Sequence, residues 1–331
     1  MTIRPRSLAL AAVFVAAAAA MSAQSAGAPS QQPGAASDMK VEKLADGVWA
    51  AAPANGANVG WFLLGDGVVA VDSGGDAATG QEILKQIAET TGNKPVRLLV
   101  LTHSHADHSG GARAFAAAGV RVICQEAVAG QIMSFVGQAA TDPKDPMAGK
   151  PNLRPVVESI SERSILVDGI HNVQIYFLGA AHTKGDLVVY LATEKILYAG
   201  DLALNGRLPF MQSPDVDPAG WTRALEALSH VPVEKVVPGH GDIGPKDGLR
   251  NSYVYVKSVA ELSRKFMQSG IQDEAIEVQI RAPENKIENV PITEAHIANV
   301  KAAVKAMREK ESRKPTPAAP SATPGPSKTP K

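Results

Sequence analysis

Leu98-Leu99-Val100-Leu101-Thr102-His103-Ser104-His105-Ala106-Asp107-His108 runs from an apolar strand straight into three histidines and an aspartate. Side chains alternate faces in an extended chain, so His103 and His105 can converge on one metal ion. Asp107 and His108 then turn toward a second. Imidazole and carboxylate suit zinc, and also iron or manganese. The competing reading is a polar loop that happens to be rich in histidine.

Three further residues extend the cluster. His182 follows Phe177-Leu178-Gly179, Asp201 follows Leu197-Tyr198-Ala199-Gly200, and His240 follows Val236-Val237-Pro238-Gly239. Each is expected where an apolar strand ends and a small-residue turn begins. Rigid sheet ends are good supports for a preorganised site, and the glycines let backbone come close to it. His171, His230 and His296 lack that context and read as surface or packing residues.

The rest of the chain sets the frame. It has 331 residues, 33 basic and 33 acidic side chains, and a formal net charge of zero. That balance offers no field for nucleic acid or anionic lipid. Arg4 and Arg6, the apolar run Leu8 to Ala20, and Ala26-Gly27-Ala28 describe a secretory signal peptide over 1–28. The run is too short to span a bilayer, so no stable membrane anchor is expected after cleavage. Residues 29–39 read as a flexible linker. Residues 315–331, rich in Pro, Ser, Thr and Lys, read as a disordered tail. Between them, 40–314 is long enough for one large domain. Cys124 is the only cysteine and reads as a small buried hydrophobe.

Within that domain, strands are expected at 41–52, 59–64, 68–72, 97–101, 164–167, 173–178, 187–192, 195–199 and 233–237. Gly65-Asp66-Gly67 signals a hairpin. Helices are expected at 79–90, 109–118 with Ser109 as cap, 218–228, 248–269 and 293–314. Strands then a helix, twice, suggest two sheets face to face with helices outside.

The motifs Thr102-His103-Ser104-His105-Ala106-Asp107-His108, Ala181-His182-Thr183, Gly200-Asp201 and Pro238-Gly239-His240-Gly241 resemble the ordered motif set of the metallo-β-lactamase superfamily, over about residues 40–270. The resemblance implies an α/β (α+β) four-layer αββα sandwich with two zinc ions per chain at one edge, iron or manganese being the alternatives. His103, His105 and His182 would hold the first ion, and Asp107, His108 and His240 the second. Asp201 would bridge them, and Asp72 would support the histidine loop from behind. Hydrolysis of a lactam, lactone, ester or thioester by a water activated between the ions follows from the same resemblance, with Asp107 orienting it and moving its proton.

Most β-lactamases of this superfamily carry Cys or Ser at the bridging position, and many carry a Lys three residues on. Here those positions are Asp201 and Leu204; the Asp resembles the thioesterase, lactonase, phosphodiesterase and sulfur-dioxygenase relatives. Candidate substrate contacts are Trp61, Asn205 and Arg207, against a core aromatic as the competing reading of Trp61 and a solvated loop arginine as that of Arg207. Residues 55–61 lie where lactamases place a flexible hairpin, and 141–146 reads as a lid or a surface turn. The expected protein is a periplasmic or secreted hydrolase of a small molecule. The alternatives are a β-lactamase proper, a mononuclear iron sulfur dioxygenase and a non-catalytic metal-binding module.

Overall fold

Gly47 adopts a φ of 72°, open to glycine at little cost, and it breaks the strand expected over 41–52 into two. In the computed structural model β1 (Lys40–Ala45) and β2 (Val48–Ala52) pair antiparallel across Asp46-Gly47. The structure describes residues 39–313. The expected signal peptide, all but the last residue of the linker and the expected tail lie outside the described residues.

The hairpin signal holds. β3 (Val59–Leu64) and β4 (Gly67–Val71) pair antiparallel, with Gly65 at a φ of 60° in the turn. From β4 the sheet becomes parallel, through α1 (Ala77–Thr91) to β5 (Val96–Val100). α1 is capped by Asp76, whose carboxylate accepts from the Thr79 N–H at 2.8 Å. It ends at Gly92 in the left-handed region.

The helix expected at 109–118 is two helices, α2 (Ala106–Ser109) and α3 (Ala112–Ala117). Gly110 and Gly111 separate them because the backbone of 73–75 passes against both. A Cβ on Gly110 would lie 2.1 Å from the Gly75 carbonyl oxygen, and one on Gly111 1.9 Å from that of Ser73. Ser109 therefore caps nothing; its hydroxyl donates to the His105 carbonyl at 3.0 Å. β6 (Arg121–Gln125), α4 (Glu126–Val136) and β7 (Val157–Ile160) complete a seven-stranded sheet in the order β1-β2-β3-β4-β5-β6-β7. α4 and β7 were not anticipated.

The second sheet begins with β8 (Arg163–Val167), β9 (Asn172–Phe177), β10 (Leu187–Leu191) and β11 (Ile196–Leu204), antiparallel neighbours in turn. α5 (Pro218–Ser229) then crosses to β12 (Lys235–His240), parallel to β11, and β13 (Gly244–Pro245) closes the edge. α6 (Asp247–Gln268), α7 (Asp273–Arg281) and α8 (Glu294–Ser312) follow.

Three apolar layers bind these elements into four. Phe62, Val69, Val71 and Val100 of the first sheet meet Ile175, Val189, Leu191 and Tyr198 of the second. Val68, Ala70 and Leu99 face the other way, onto Ile83 and Ile87 of α1, Phe115 of α3 and Ile132 of α4. Val188 and Leu197 do the same on the second sheet, onto Trp221, Phe266, Ile280 and Val300 of α5 to α8. Residues of one strand thus serve two cores, as the two-residue period of a strand requires. The result is the αββα sandwich.

That parity decides between the two readings of one residue. Trp61 follows Gly60 on β3 and points to the helix side, while Phe62 points between the sheets. Trp61 is fully buried, and its indole N–H donates to the Thr90 hydroxyl at 2.9 Å. It is a core residue, packed on the helix side of the sheet. Residues 141–146 are a surface turn. The buried Arg113 holds it with a 2.8 Å ion pair to Asp145, and also donates to the carbonyls of Phe135, Val136 and Gln138. Cys124 is buried in β6, and burial pushes its thiol up to about 11.

Trp61→Phe removes the hydrogen bond to Thr90 and part of the ring. It is expected to lower unfolding free energy by about 1–3 kcal/mol in urea titration, with metal content and KM unchanged. A changed KM at unchanged stability would return Trp61 to the site.

Candidate metal centre

Three strand ends and one strand interior meet at one edge of the sandwich. β5 delivers His103 and His105, the turn after β9 delivers His182, and His240 is the last residue of β12. Asp201 departs from expectation. It does not follow a strand ending at 199 but sits inside β11, which continues to Leu204. A register shift at Gly200, where φ is 51°, re-aims the strand there. Gly239 is required beside it, since a Cβ at 239 would lie 1.9 Å from Asp201 Oδ1.

The structure brings all seven predicted ligands together. His103, His105, His182 and Asp201 form one group, and Asp107, His108 and His240 another, each with its ligand atoms within 4.8 Å of one another. In the first group His105 Nδ1 lies 3.1 Å from His103 Nε2 and 3.0 Å from His182 Nε2. Nitrogens bound to one tetrahedral zinc at about 2.0–2.1 Å would be about 3.3 Å apart, so the spacing is close to that of a ligand set. In the second group His240 Nε2 is 3.0 Å from Asp107 Oδ2, and His108 Nε2 is 3.9 Å from it. Asp201 reaches both groups. Its Oδ2 is 3.4 Å from His182 Nε2, and its Oδ1 is 3.2 Å from His108 Nε2 and 3.6 Å from His240 Nε2.

Each ring is oriented from behind. Asp72, at a φ of 60°, accepts from the Thr102 N–H and hydroxyl and lies 2.8 Å from His108 Nδ1. That leaves His108 Nε2 facing Asp201. His182 Nδ1 donates to the Phe210 carbonyl at 3.0 Å, leaving Nε2 facing His105. Asp186 accepts from the Thr183 N–H and hydroxyl, both at 2.8 Å, and burial pushes its carboxyl up to about 7.

Burial holds His103, His105 and His182 below the usual imidazole range, His182 at about 4, so they present lone pairs at neutral pH. Burial also opposes charge on His108, but Asp201 and Asp72 outweigh it and hold the ring well above that range. Asp201 is held low despite burial, chiefly by the charge of His108. One test of fit is direct. His108 Nε2 and Asp201 Oδ1 are both buried and, though 3.2 Å apart, make no well-directed hydrogen bond. Two orphaned buried ligand atoms aimed at one spot suit a cation, and the donor set of five imidazoles and two carboxylates suits zinc.

Two contributions were invisible in the sequence. Asn58, buried, donates through Nδ2 to the carbonyls of Pro238 at 3.0 Å and Gly241 at 2.8 Å. Its own N–H bonds the Gly239 carbonyl, and the Ala57 N–H bonds that of Asp107. The segment expected as a flexible hairpin is a brace between the two histidine loops. Phe210 stands at the mouth, 47% exposed, its ring 6.4 Å from those of both His105 and His182. Asn205 donates to the Asp242 carbonyl at 3.0 Å, bracing the His240 turn, and Arg207 stands exposed on the same turn. His171 is buried against Glu194 and His296 against Tyr255, while His230 is exposed at the end of α5.

The chain is similar to proteins of known activity or structure. A linear primary-alkylsulfatase from a Pseudomonas species is 21% identical over 281 residues, covering 72% of this chain and 53% of that protein. The chain thus spans about half of that relative's length. A type 2 metallo-beta-lactamase from Elizabethkingia meningoseptica is 24% identical over 217 residues, covering 62% of this chain and 80% of that one. The solved metallo-beta-lactamase from Pontibacter korlensis superposes with a TM-score of 0.55 at 25% identity, over 66% of this chain and 99% of that one. Residues 53–240, more than half of the 331, match the metallo-beta-lactamase superfamily, and the chain belongs to it.

Proposed function

We propose that this chain is a dinuclear zinc hydrolase that cleaves a small carbonyl substrate, a lactam, lactone, ester or thioester, outside the cytoplasm. The observation that carries the reading is Asp201, a carboxylate within 3.2–3.6 Å of ring nitrogens from both ligand groups. His103, His105 and His182 would hold one ion, Asp107, His108 and His240 the other, and Asp201 both. Two such ions would lower the pKa of a water and polarise a carbonyl.

The chain's own residues supply the rest. Asp107 is the carboxylate open to solvent, with its side chain 38% exposed, against 6% for Asp201. It can accept a proton from the attacking water and pass it to the leaving group. The Phe210 ring gives an apolar wall beside the first group. Lys184 and Asp215, paired at 3.8 Å and both exposed, put opposite charges on the rim near His182. Export rests on the signal peptide read at 1–28.

A β-lactamase is the second reading, favoured by relatives and solved structures of that name. Asp201 and Leu204 weigh against it, since most β-lactamases bridge with Cys or Ser and many hold a Lys where Leu204 stands. The alkylsulfatase relative adds sulfate esters to the substrates worth testing.

Metal analysis of purified protein is expected to return two zinc ions per chain, and a panel of lactone, thioester, β-lactam and sulfate ester substrates to reveal hydrolysis. One iron per chain with oxygen uptake on a persulfide would overturn the reading. Asp201→Ala is expected to lose at least one metal and to slow turnover by about 10²-fold or more, with the circular dichroism spectrum retained. Unchanged metal content and rate would sink the bridging role. Asp72→Ala frees the His108 ring, and zinc competition titrations should show binding about 10–100-fold weaker. Equal affinity would show that Asp72 only caps its turn.

A further inference from the structure

The strap from Pro209 to Asp217 joins β11 to α5 without regular secondary structure, yet it carries the Phe210 carbonyl that orients His182. No strand ladder holds this peptide in place. A buried amide grips it at the Phe210 end. Asn299 of α8 donates through Nδ2 to the Pro209 carbonyl at 2.7 Å and accepts through Oδ1 from the Met211 N–H at 3.0 Å. It therefore grips the chain on both sides of Phe210. A carbonyl only accepts and an N–H only donates, so these two bonds fix the amide orientation.

The grip is itself supported. Asn299 is 2% exposed, and its second N–H donates to the Tyr255 hydroxyl at 2.9 Å. The Tyr255 hydroxyl in turn lies within hydrogen-bond distance of His296 Nδ1, 3.1 Å away. At the far end of the strap, Lys310 of α8 pairs with Asp217. The Asp217 N–H bonds the carbonyl of Ala181, the residue before His182. α8 thus holds both ends of a strap that touches the backbone or ring on each side of His182. α8 lies beyond residue 240, where the match to the superfamily ends.

We infer that Asn299 is a positioning residue for the metal centre, locking the 209–217 strap so that the Phe210 carbonyl holds the His182 ring with Nε2 turned inward. Without the amide, the Pro209 carbonyl and the Met211 N–H are buried with no partner, and the strap must shift to find one. The inference rests on the proposed function only for what His182 holds; the clamp itself is independent of any ion.

The test compares Asn299→Asp, which keeps the acceptor and loses the donor, with Asn299→Ser, which is milder should the first fail to fold. Val300→Ala, in the same buried helix, controls for lost stability. The first readout is the His182 Nδ1–H resonance of metal-free protein, labelled with nitrogen-15. It is expected to be sharp and slowly exchanging in the parent and in Val300→Ala, and lost to exchange in the Asn299 variants. The second is a competition titration with zinc alone, in which the Asn299 variants should bind the tighter equivalent about tenfold more weakly, with Val300→Ala unchanged. A retained resonance in both Asn299 variants overturns the clamp, as does the same loss in Val300→Ala at matched melting temperature. If the parent takes up no zinc, the hydrolase reading fails, while the His182 resonance still decides the clamp.

Discussion

A carboxylate buried among imidazoles is the constraint on which the rest of this molecule depends. Asp201 is 6% exposed, and its two oxygens face nitrogens from three histidines. Left alone, such a charge would be driven to neutralise itself. Here it stays ionised because His108 faces it, a ring held charged between Asp201 and Asp72. The arrangement has the electrostatics of a cation site built in advance. Three neutral imidazoles lie on one side of Asp201, and a charged ring on the other marks where positive charge belongs.

The sandwich exists to hold those groups rigid. His103, His182, Asp201 and His240 come from different strands of two sheets, so only the packing of sheet on sheet sets their separations. The layer of Phe62, Val100, Val189 and Tyr198 does that. Close backbone approach does the rest. Gly239 makes room for the Asp201 carboxylate, and Gly200 lets β11 shift register to aim it. Asn58 ties the two histidine loops across the seam, so neither depends on its own turn alone.

How much of this was legible follows from how local each signal is. The seven candidate ligands were readable because the motifs are short, and each has its histidine or aspartate at a fixed place beside a strand. The sandwich followed from the alternation of strands and helices. The failures lie where a distant contact decides. Trp61 read either as a core aromatic or as a pocket contact until strand parity sent it to the helix side. Ser109 looked like a cap until Gly110 and Gly111 were pressed against residues 73–75. Asn58 and Asn299 act on partners 180 and 90 residues away, and no local pattern marks them. Phe210 lies on a strap without periodicity, so its place at the mouth could not be read.

The central claim is that Asp201 joins two metal ions into one centre. X-ray absorption spectroscopy on zinc-loaded protein tests it most directly. The account predicts a zinc–zinc vector at about 3.5–4 Å, the spacing of two-metal sites, that disappears in Asp201→Ala. A fully loaded protein with no such vector, or one that survives the substitution unchanged, would contradict it.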